Sequence, residues 1–414
     1  MENSTLLPDS LSFLLEELRL SGLPKSIAER PEFLSSLILG TENDDSLTGT
    51  ENRDYIFGLD GNDTIEGLSG DDFLFSRAGD STISGGDGRD RIYARSGRDT
   101  LIGGAGDDRF RDISGGNEID GGEGRDTVNY RNIESAIALE FNIELSSSTG
   151  SDVPLPDTGE TGLQIVQADR DPDNISNIER IIAPEGKKNL IDFRENSFSF
   201  PTLSVPPTIT APAIDVDLSA NRLSFEDTTL TVENFSDVVG SLRDDVLIGN
   251  EAANDLDGSV GSNRLEGLGG NDTLSTFESD ILVGGGGRDT FRLKAADKII
   301  SAKGFPGVSS IQGSTIVDFD PNFDKIQLSN AGSSVQVGSQ RFLIYEGFSQ
   351  LPIGDLSEDL FRLSGSASPT PDSPFLSYDA ATGDLVYVQG NLGSSKIATL
   401  QGAPALDASN ISIV

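Results

Sequence analysis

The sequence predicts an all-β chain wound as a parallel β-helix solenoid, with helices before the first coil and a β cap after the last. Three observations carry this. Residues 40–129 divide without a gap into ten rows of nine. The eighth residue of every row is apolar: Leu47, Ile56, Ile65, Leu74, Ile83, Ile92, Leu101, Phe110, Ile119 and Val128. Glycine makes up 47 of 414 residues, about 11% against an ordinary ~7%, and it recurs in fixed columns. A nine-residue unit cannot bury its apolar side alone, so copies must stack and share a core.

Ahead of the rows, residues 10–39 read as two amphipathic helices. The first has Leu11, Phe13, Leu14, Leu15, Leu18 and Leu20, with Ser10 as N-cap and Gly22 as stop. The second, over 25–39, has Ile27, Phe33, Leu34, Leu37 and Ile38, with Pro31 restricting its start.

Within the rows, the sixth residue is Asp in eight of ten, with Ser81 and Asn117 the exceptions. The fourth is Gly in eight and Asn in two. This glycine-rich nonapeptide resembles the RTX, or hemolysin-type calcium-binding repeat, family. The resemblance implies a right-handed parallel β-roll. The first six residues of each row turn, the last three form a strand, and two rows close one coil. It also implies Ca²⁺ held between turns of successive coils on one edge. Glycine lets the turn curl and aim carbonyls inward, and Asp adds a carboxylate. Together they supply the roughly six to eight oxygens that Ca²⁺ takes.

The two edges differ in sequence. Even rows all keep the Asp, at Asp54, Asp72, Asp90, Asp108 and Asp126. Their turn glycines include Gly85, Gly88, Gly103, Gly106, Gly121 and Gly124. Odd rows lose the first Gly in three cases and the Asp in two. The expectation is a filled calcium ladder on the even edge. The odd edge would hold ions chiefly near its start, at Asp45 and Asp63, with Asp99 a further candidate.

The outward positions of the even rows carry Tyr55, Phe57, Phe73, Phe75 and Tyr93. An aromatic face of this size is either covered or adhesive. Three readings stand for the N-terminal helices: they cap the first coil, they cover the aromatic face, or they leave it to another molecule.

A second block spans 240–292, with apolar Leu247, Leu256, Leu265, Leu274, Leu282 and Phe291 and a fifth row one residue short. Asp245, Asp272 and Asp289 are its candidate ligands, with Asn254 and Asn263 offering amide oxygens.

Residues 133–239 keep no such motif. Asn177–Ile182 parallels Asn234–Val239, and Leu190-Ile191 parallels Leu247-Ile248, which sets Lys188 where Asp245 stands. Lys187 and Lys188 are either surface lysines or a replacement for the cation. Segments such as Ala213–Phe235 read as strands continuing the roll.

Beyond the second block, 293–414 reads as a C-terminal β cap. Ile316–Leu328 resembles the segment that follows an RTX roll. Its Asp318, Asp320 and Asp324 either bind an ion or form a turn. Phe375–Val388 reads as a hairpin with Gly383 at its turn. Residues 398–414 are apolar, β-prone and free of Lys and Arg. In the family, such a C-terminus holds a type I secretion signal.

Composition narrows the function. With no His and no Cys there is no zincin motif, no Ser–His–Asp triad, no disulfide and no thiolate nucleophile. A net charge of −38 argues against nucleic acid and anionic membrane as partners and favours hard cations. The N-terminus lacks the basic and apolar regions of a Sec-type signal peptide.

The expectation is a secreted, extracellular or cell-surface protein that folds on binding several Ca²⁺. It would act as a structural or interaction component of the surface or matrix and self-associate, with no enzymatic activity. The alternatives are a carbohydrate-binding module using the aromatic face, or a carboxylate-dependent polysaccharide-modifying enzyme seated in 133–239 or 293–375.

Overall fold

The structure is a computed structural model. It describes residues 35–111, 113, 116–143, 161–167, 170–193, 212–277, 279–294, 313–329, 333–337, 340–345, 348, 351–364, 374–388 and 394–414. The chain forms two compact units. The first comprises Met1–Leu139, Ile143–Lys187 and Leu230–Asn234; the second comprises Glu140–Asn142, Lys188–Thr229 and Phe235–Val414. Among the described residues no helix is long and apolar enough to cross a membrane.

The first unit is a pair of parallel ladders. On one side Tyr55–Asp60, Phe73–Ala78, Arg91–Ala94, Arg109–Arg111 and Thr127–Asn129 pair in succession. On the other, Ser46–Thr48, Thr64–Ser69, Thr82–Asp87, Thr100–Ala105 and Glu118–Glu123 do the same. Each register places a residue beside its counterpart two rows on, Ile65 against Ile83 and Ile56 against Leu74. The eighth-column side chains from Ile56 to Val128 stack inside at 0–2% exposure. Burying each contributes roughly 1.5–3 kcal/mol, so the column supplies much of the driving force for coiling.

The strands run longer than three residues where the turn can pair as well. Thr82–Asp87 continues through Gly85 and Gly86, and Gly86 lies in register with Gly104. Glycine is required here: a Cβ on Gly86 would stand 1.9 Å from the Leu68 carbonyl oxygen, and Gly86 has φ +106.

The sequence expected helix through residue 39, but Leu37–Leu39 is a strand, paired in parallel with Tyr55–Phe57. The Leu-Ile-Leu run extends the aromatic ladder by one rung, which satisfies its backbone along a sheet edge. The expected N-terminal helical cap up to residue 34 lies outside the described residues.

The stack continues past the motif-bearing rows. Asp173–Ser176 joins Glu118–Asp120, and Arg180–Ile182 joins Thr127–Asn129. Coils without the repeat thus extend the first unit.

In the second unit, Val246–Ile248, Arg264–Glu266 and Ile281–Val283 form one ladder. Asp255–Asp257, Thr273–Thr276, Thr290–Leu293 and Lys325–Leu328 form the other. Leu247, Leu256, Leu265, Leu274, Leu282 and Phe291 are fully buried. Ile214–Asp217 and Arg222–Phe225 make an antiparallel hairpin whose first strand lies in parallel on Val246–Ile248. Phe375–Asp379 and Asp384–Val388 form a second hairpin, with Gly383 at φ +79 in its turn.

Candidate metal centre

Each ladder strand begins just after a sixth-column residue, so those side chains form a line along the sheet edge. On the even edge of the first unit the line is continuous. The main-chain N–H of Asp54 donates to Oδ1 of Asp72 at 2.7 Å, Asp72 to Asp90 at 2.8 Å, Asp90 to Asp108 at 2.7 Å, and Asp108 to Asp126 at 2.8 Å. Asp126 N–H ends the line on Glu179 Oε2 at 2.6 Å. One carboxylate oxygen per rung is therefore used to fasten one coil to the next.

The other oxygen is not. Oδ2 of Asp72, Asp90, Asp108 and Asp126 is buried and has no hydrogen-bond partner among the described residues. Each faces the first glycine of its own row. A Cβ on Gly67 would meet Gly85 O at 2.4 Å and Asp72 Oδ2 at 2.6 Å. On Gly85 it would meet Asp90 Oδ2 at 2.3 Å and Gly103 O at 2.5 Å, and on Gly103, Asp108 Oδ2 and Gly121 O, both at 2.4 Å. At Gly121 the near atoms are Asn177 O at 2.0 Å and Asp126 Oδ2 at 2.7 Å. A carboxylate oxygen and a carbonyl oxygen of the next coil thus converge on a space that any side chain would fill.

Two acceptors facing one another with no donor are unfavourable unless a cation stands between them. The donors are all oxygen, which suits a hard divalent ion such as Ca²⁺. Among the described residues no three acidic side chains gather at one point, so main-chain carbonyls must complete any such shell. The residues fit the ion that the sequence implies.

Burial and neighbouring carboxylates leave their mark on ionisation. Asp72, Asp90, Asp108 and Asp126 are each raised to about 6, first by desolvation and then by the carboxylates nearby.

The odd edge is broken. Asp45 N–H donates to Asp63 Oδ1 at 3.0 Å, and Asp63 Oδ2 is buried without a partner among the described residues. A Cβ on Gly58 would stand 2.1 Å from that oxygen. One coil on, Ser76 and Ser81 replace the Gly and the Asp and hydrogen-bond each other at 2.9 Å. Next comes Asp99, whose row has the buried Ala94 in place of the first glycine. Asp99 N–H donates to Asn117 Oδ1 at 2.8 Å. Asn117 N–H in turn donates to Asp173 Oδ1 at 2.8 Å. Asp173 is fully buried and accepts from Tyr130 Oη and Gln167 Nε2, each at 3.0 Å.

Other positions behave differently from the sequence expectation. Asp45 and Asp54, first in their lines, already have donors to Oδ2: the N–H and hydroxyl of Thr41 and of Thr50. Gly88, Gly106 and Gly124 carry positive φ and stack on the carbonyl of the glycine one coil before. Asn254 and Asn263 do not offer free amide oxygens. Asn254 Oδ1 accepts from Asn250 N–H and Asn263 Oδ1 from Asp245 N–H.

Lys188 does not take the place of an aspartate. Ile191 is the buried member of Leu190–Asp192, so the equivalent position is the buried Asn189, and Lys187 and Lys188 are exposed. Asp320 and Asp324 form a turn, with Asp320 N–H donating to Asp324 Oδ2 and Asn322 N–H to Asp320 Oδ1. Asp318 accepts from the N–H groups of Gly284 and Gly285.

In the second unit, Asn254 N–H donates to Asp272 Oδ1, Asp272 N–H to Asp289 Oδ1, and Asp289 N–H to Asp324 Oδ1, all at 2.8–2.9 Å. Asp272 Oδ2 is buried and without a partner among the described residues. The other line runs from Ile214 N–H to Asp245, then through Asn263 to Asp280. Asp280, Asp173 and Glu179 are ladder members that sequence reasoning missed, and Asp324, a candidate in its own segment, was not connected to the line.

The aromatic face is not open. Phe57, Phe73, Phe75 and Tyr93 are 0–3% exposed and pack as one cluster with Leu37, Tyr55 and Leu59 against it. The rings of Phe73 and Tyr93 lie 4.7 Å apart. These four rings belong to the interior and offer no platform for a sugar.

The family described as RTX calcium-binding nonapeptide repeat matches in four copies, over residues 39–74, 75–111, 239–274 and 276–293. No curated protein matches the chain. Among solved structures, the AlgE6R3 subunit of a mannuronan C5-epimerase from Azotobacter vinelandii is 26% identical, covering 42% of this chain and 80% of its own, with a TM-score of 0.26.

Proposed function

From a chain that carries RTX calcium-binding repeats on a β-roll, we propose a secreted protein that folds as Ca²⁺ fills its edges outside the cell. It then acts as a structural or interaction component of the cell surface or extracellular matrix. The observation that carries the reading is the line of orphaned Oδ2 atoms at Asp72, Asp90, Asp108 and Asp126, each beside a glycine cradle.

Without an ion, these carboxylates repeat along one edge about every 4.8 Å and repel one another. A filled site stabilises the fold by RT ln(1 + [L]/Kd), about 1.4 kcal/mol at tenfold over Kd. Extracellular calcium modules bind at roughly 10⁻⁴–10⁻³ M. Low calcium inside the cell would keep the chain open for export, and the family resemblance supports a type I signal in 398–414. The reading assigns the chain no catalysis, in keeping with the lack of His and Cys.

Circular dichroism and size-exclusion with light scattering, each with chelator and with millimolar calcium, test this. The reading expects β structure to appear with calcium and defined assemblies to form only then. A chain fully folded in chelator would overturn it. Binding on a glycan array by a monomeric protein would replace the scaffold role with a lectin role.

A further inference from the structure

We propose that the chain builds two kinds of rung, one that needs calcium and one that carries its own donor, so that the stack over 236–266 folds with no ion bound. The proposal rests on the calcium reading above and adds which positions take no ion.

In the first kind, an Asp Oδ2 and the carbonyl of a glycine in the next coil face the same space with no hydrogen between them, as Asp72 Oδ2 and Gly85 O do beside Gly67. In the second kind, an amide or hydroxyl supplies that hydrogen. Asn263 shows the exchange most directly. Its Oδ1 accepts Asp245 N–H at 2.9 Å, just as Asp72 Oδ1 accepts Asp54 N–H. Its Nδ2 stands where an Asp would place Oδ2: a Cβ on Gly258 would meet it at 2.8 Å. That nitrogen donates to Gly258 O at 2.8 Å. The amide hydrogens of Asn263 replace the cation.

The same solution recurs in the second unit in other side chains. At Asn254 the amide is turned the other way: Oδ1 lies beside Gly249 and accepts Asn250 N–H at 2.8 Å, while Nδ2 donates to Ser236 O. Ser241 gives both its N–H and its hydroxyl to Asp245. The hydroxyl of Thr276 donates to Asp280 Oδ2. In the first unit such donors stand at Thr41 and Thr50, at the start of the two lines, and at the pair Ser76–Ser81, which interrupts the odd edge. Among the described residues, the orphaned ladder oxygens of the first unit are those of Asp63, Asp72, Asp90, Asp108 and Asp126, while the second has Asp272. The ion-dependent rungs are thus concentrated over 58–129.

Hydrogen exchange with mass spectrometry on the full chain, in chelator and in millimolar calcium, tests the proposal. The expected result is slow exchange over 246–266 in chelator, rapid exchange over 64–129, and protection of 64–129 on adding calcium. Rapid exchange over both stretches in chelator, with both protected by calcium, would overturn the proposal and leave the calcium reading intact. Protection of 64–129 in chelator would defeat the calcium reading itself.

Reciprocal variants sharpen the test. Asn263→Asp should make protection around 246–266 depend on calcium. Asp108→Asn should lower the calcium bound, measured by titration calorimetry, by at least one ion and slow exchange around 91–129 in chelator. Unchanged calcium dependence in both variants would refute the exchange of amide for ion.

Discussion

The main-chain N–H of Asp90 donates to Oδ1 of Asp108 at 2.7 Å, and the other oxygen of that carboxylate lies buried with no donor among the described residues. One side chain therefore ties two coils together and at the same time presents an uncompensated acceptor beside Gly103. The coil contact and the ion requirement are inseparable in such a rung.

The glycine beside that oxygen admits no substitute. In Gly103→Ala, the new Cβ would stand 2.4 Å from both Asp108 Oδ2 and Gly121 O. The expected cost is about 1–3 kcal/mol from overpacking. Calorimetry should also show weakened calcium binding. Gly286→Ala, with its nearest atom at 3.9 Å, is the control and should stay within about 0.5 kcal/mol of the parent.

Acid should partly replace calcium. The folded-state values near 6 at Asp72, Asp90, Asp108 and Asp126 lie above the usual 3.8. A group raised on folding stabilises the fold fully below its unfolded value, and that contribution is lost as pH rises through the folded one. The ion-free chain should therefore gain β structure by circular dichroism as pH falls from about 6 toward 4. Calcium affinity should fall over the same window, because protons compete for the same oxygens. Ion-free β structure that grows as pH rises would contradict this.

The aromatic cluster is structural. Phe75 is fully buried against Phe57 and Tyr93, at 5.8 and 6.5 Å between ring centres. Phe75→Ala should destabilise the calcium-loaded protein by about 3–5 kcal/mol in denaturant unfolding. An unchanged midpoint would mean that the rings pack on nothing.

Outside the ligand line runs a second ladder of alternating charge. Asp71 pairs with Arg53 at 2.7 Å and with Arg89 at 3.2 Å, one coil to either side. The arginines are more than half exposed, so Asp71→Asn should cost no more than about 1 kcal/mol. The loss should shrink in high salt, with the number of bound ions unchanged.

The apolar eighth column and the acidic sixth were legible because a strict nine-residue period places like with like. Legibility failed where that period slipped. Asp280 belongs to the row that is one residue short, so counting by nine passes over it. Asp173 and Asp324 reach their partners across 56 and 35 residues of sequence, where no period connects them. Leu190 and Ile191 are both apolar, which leaves the inward residue ambiguous by one and moved the equivalence from Asn189 to Lys188. Leu37–Leu39 fits a helix face as well as a strand, and the open edge of Tyr55–Phe57 decided it. Outward aromatics could be covered or adhesive, because a repeat pattern says which side of a sheet a ring is on and nothing of what packs over it.

The most direct test is anomalous diffraction from crystals grown in calcium. Peaks should stand beside Gly67, Gly85, Gly103 and Gly121, between the Oδ2 atoms of Asp72, Asp90, Asp108 and Asp126 and the facing carbonyls. Well-ordered coils with no anomalous density at those four positions would contradict the assignment of the even edge as the metal centre.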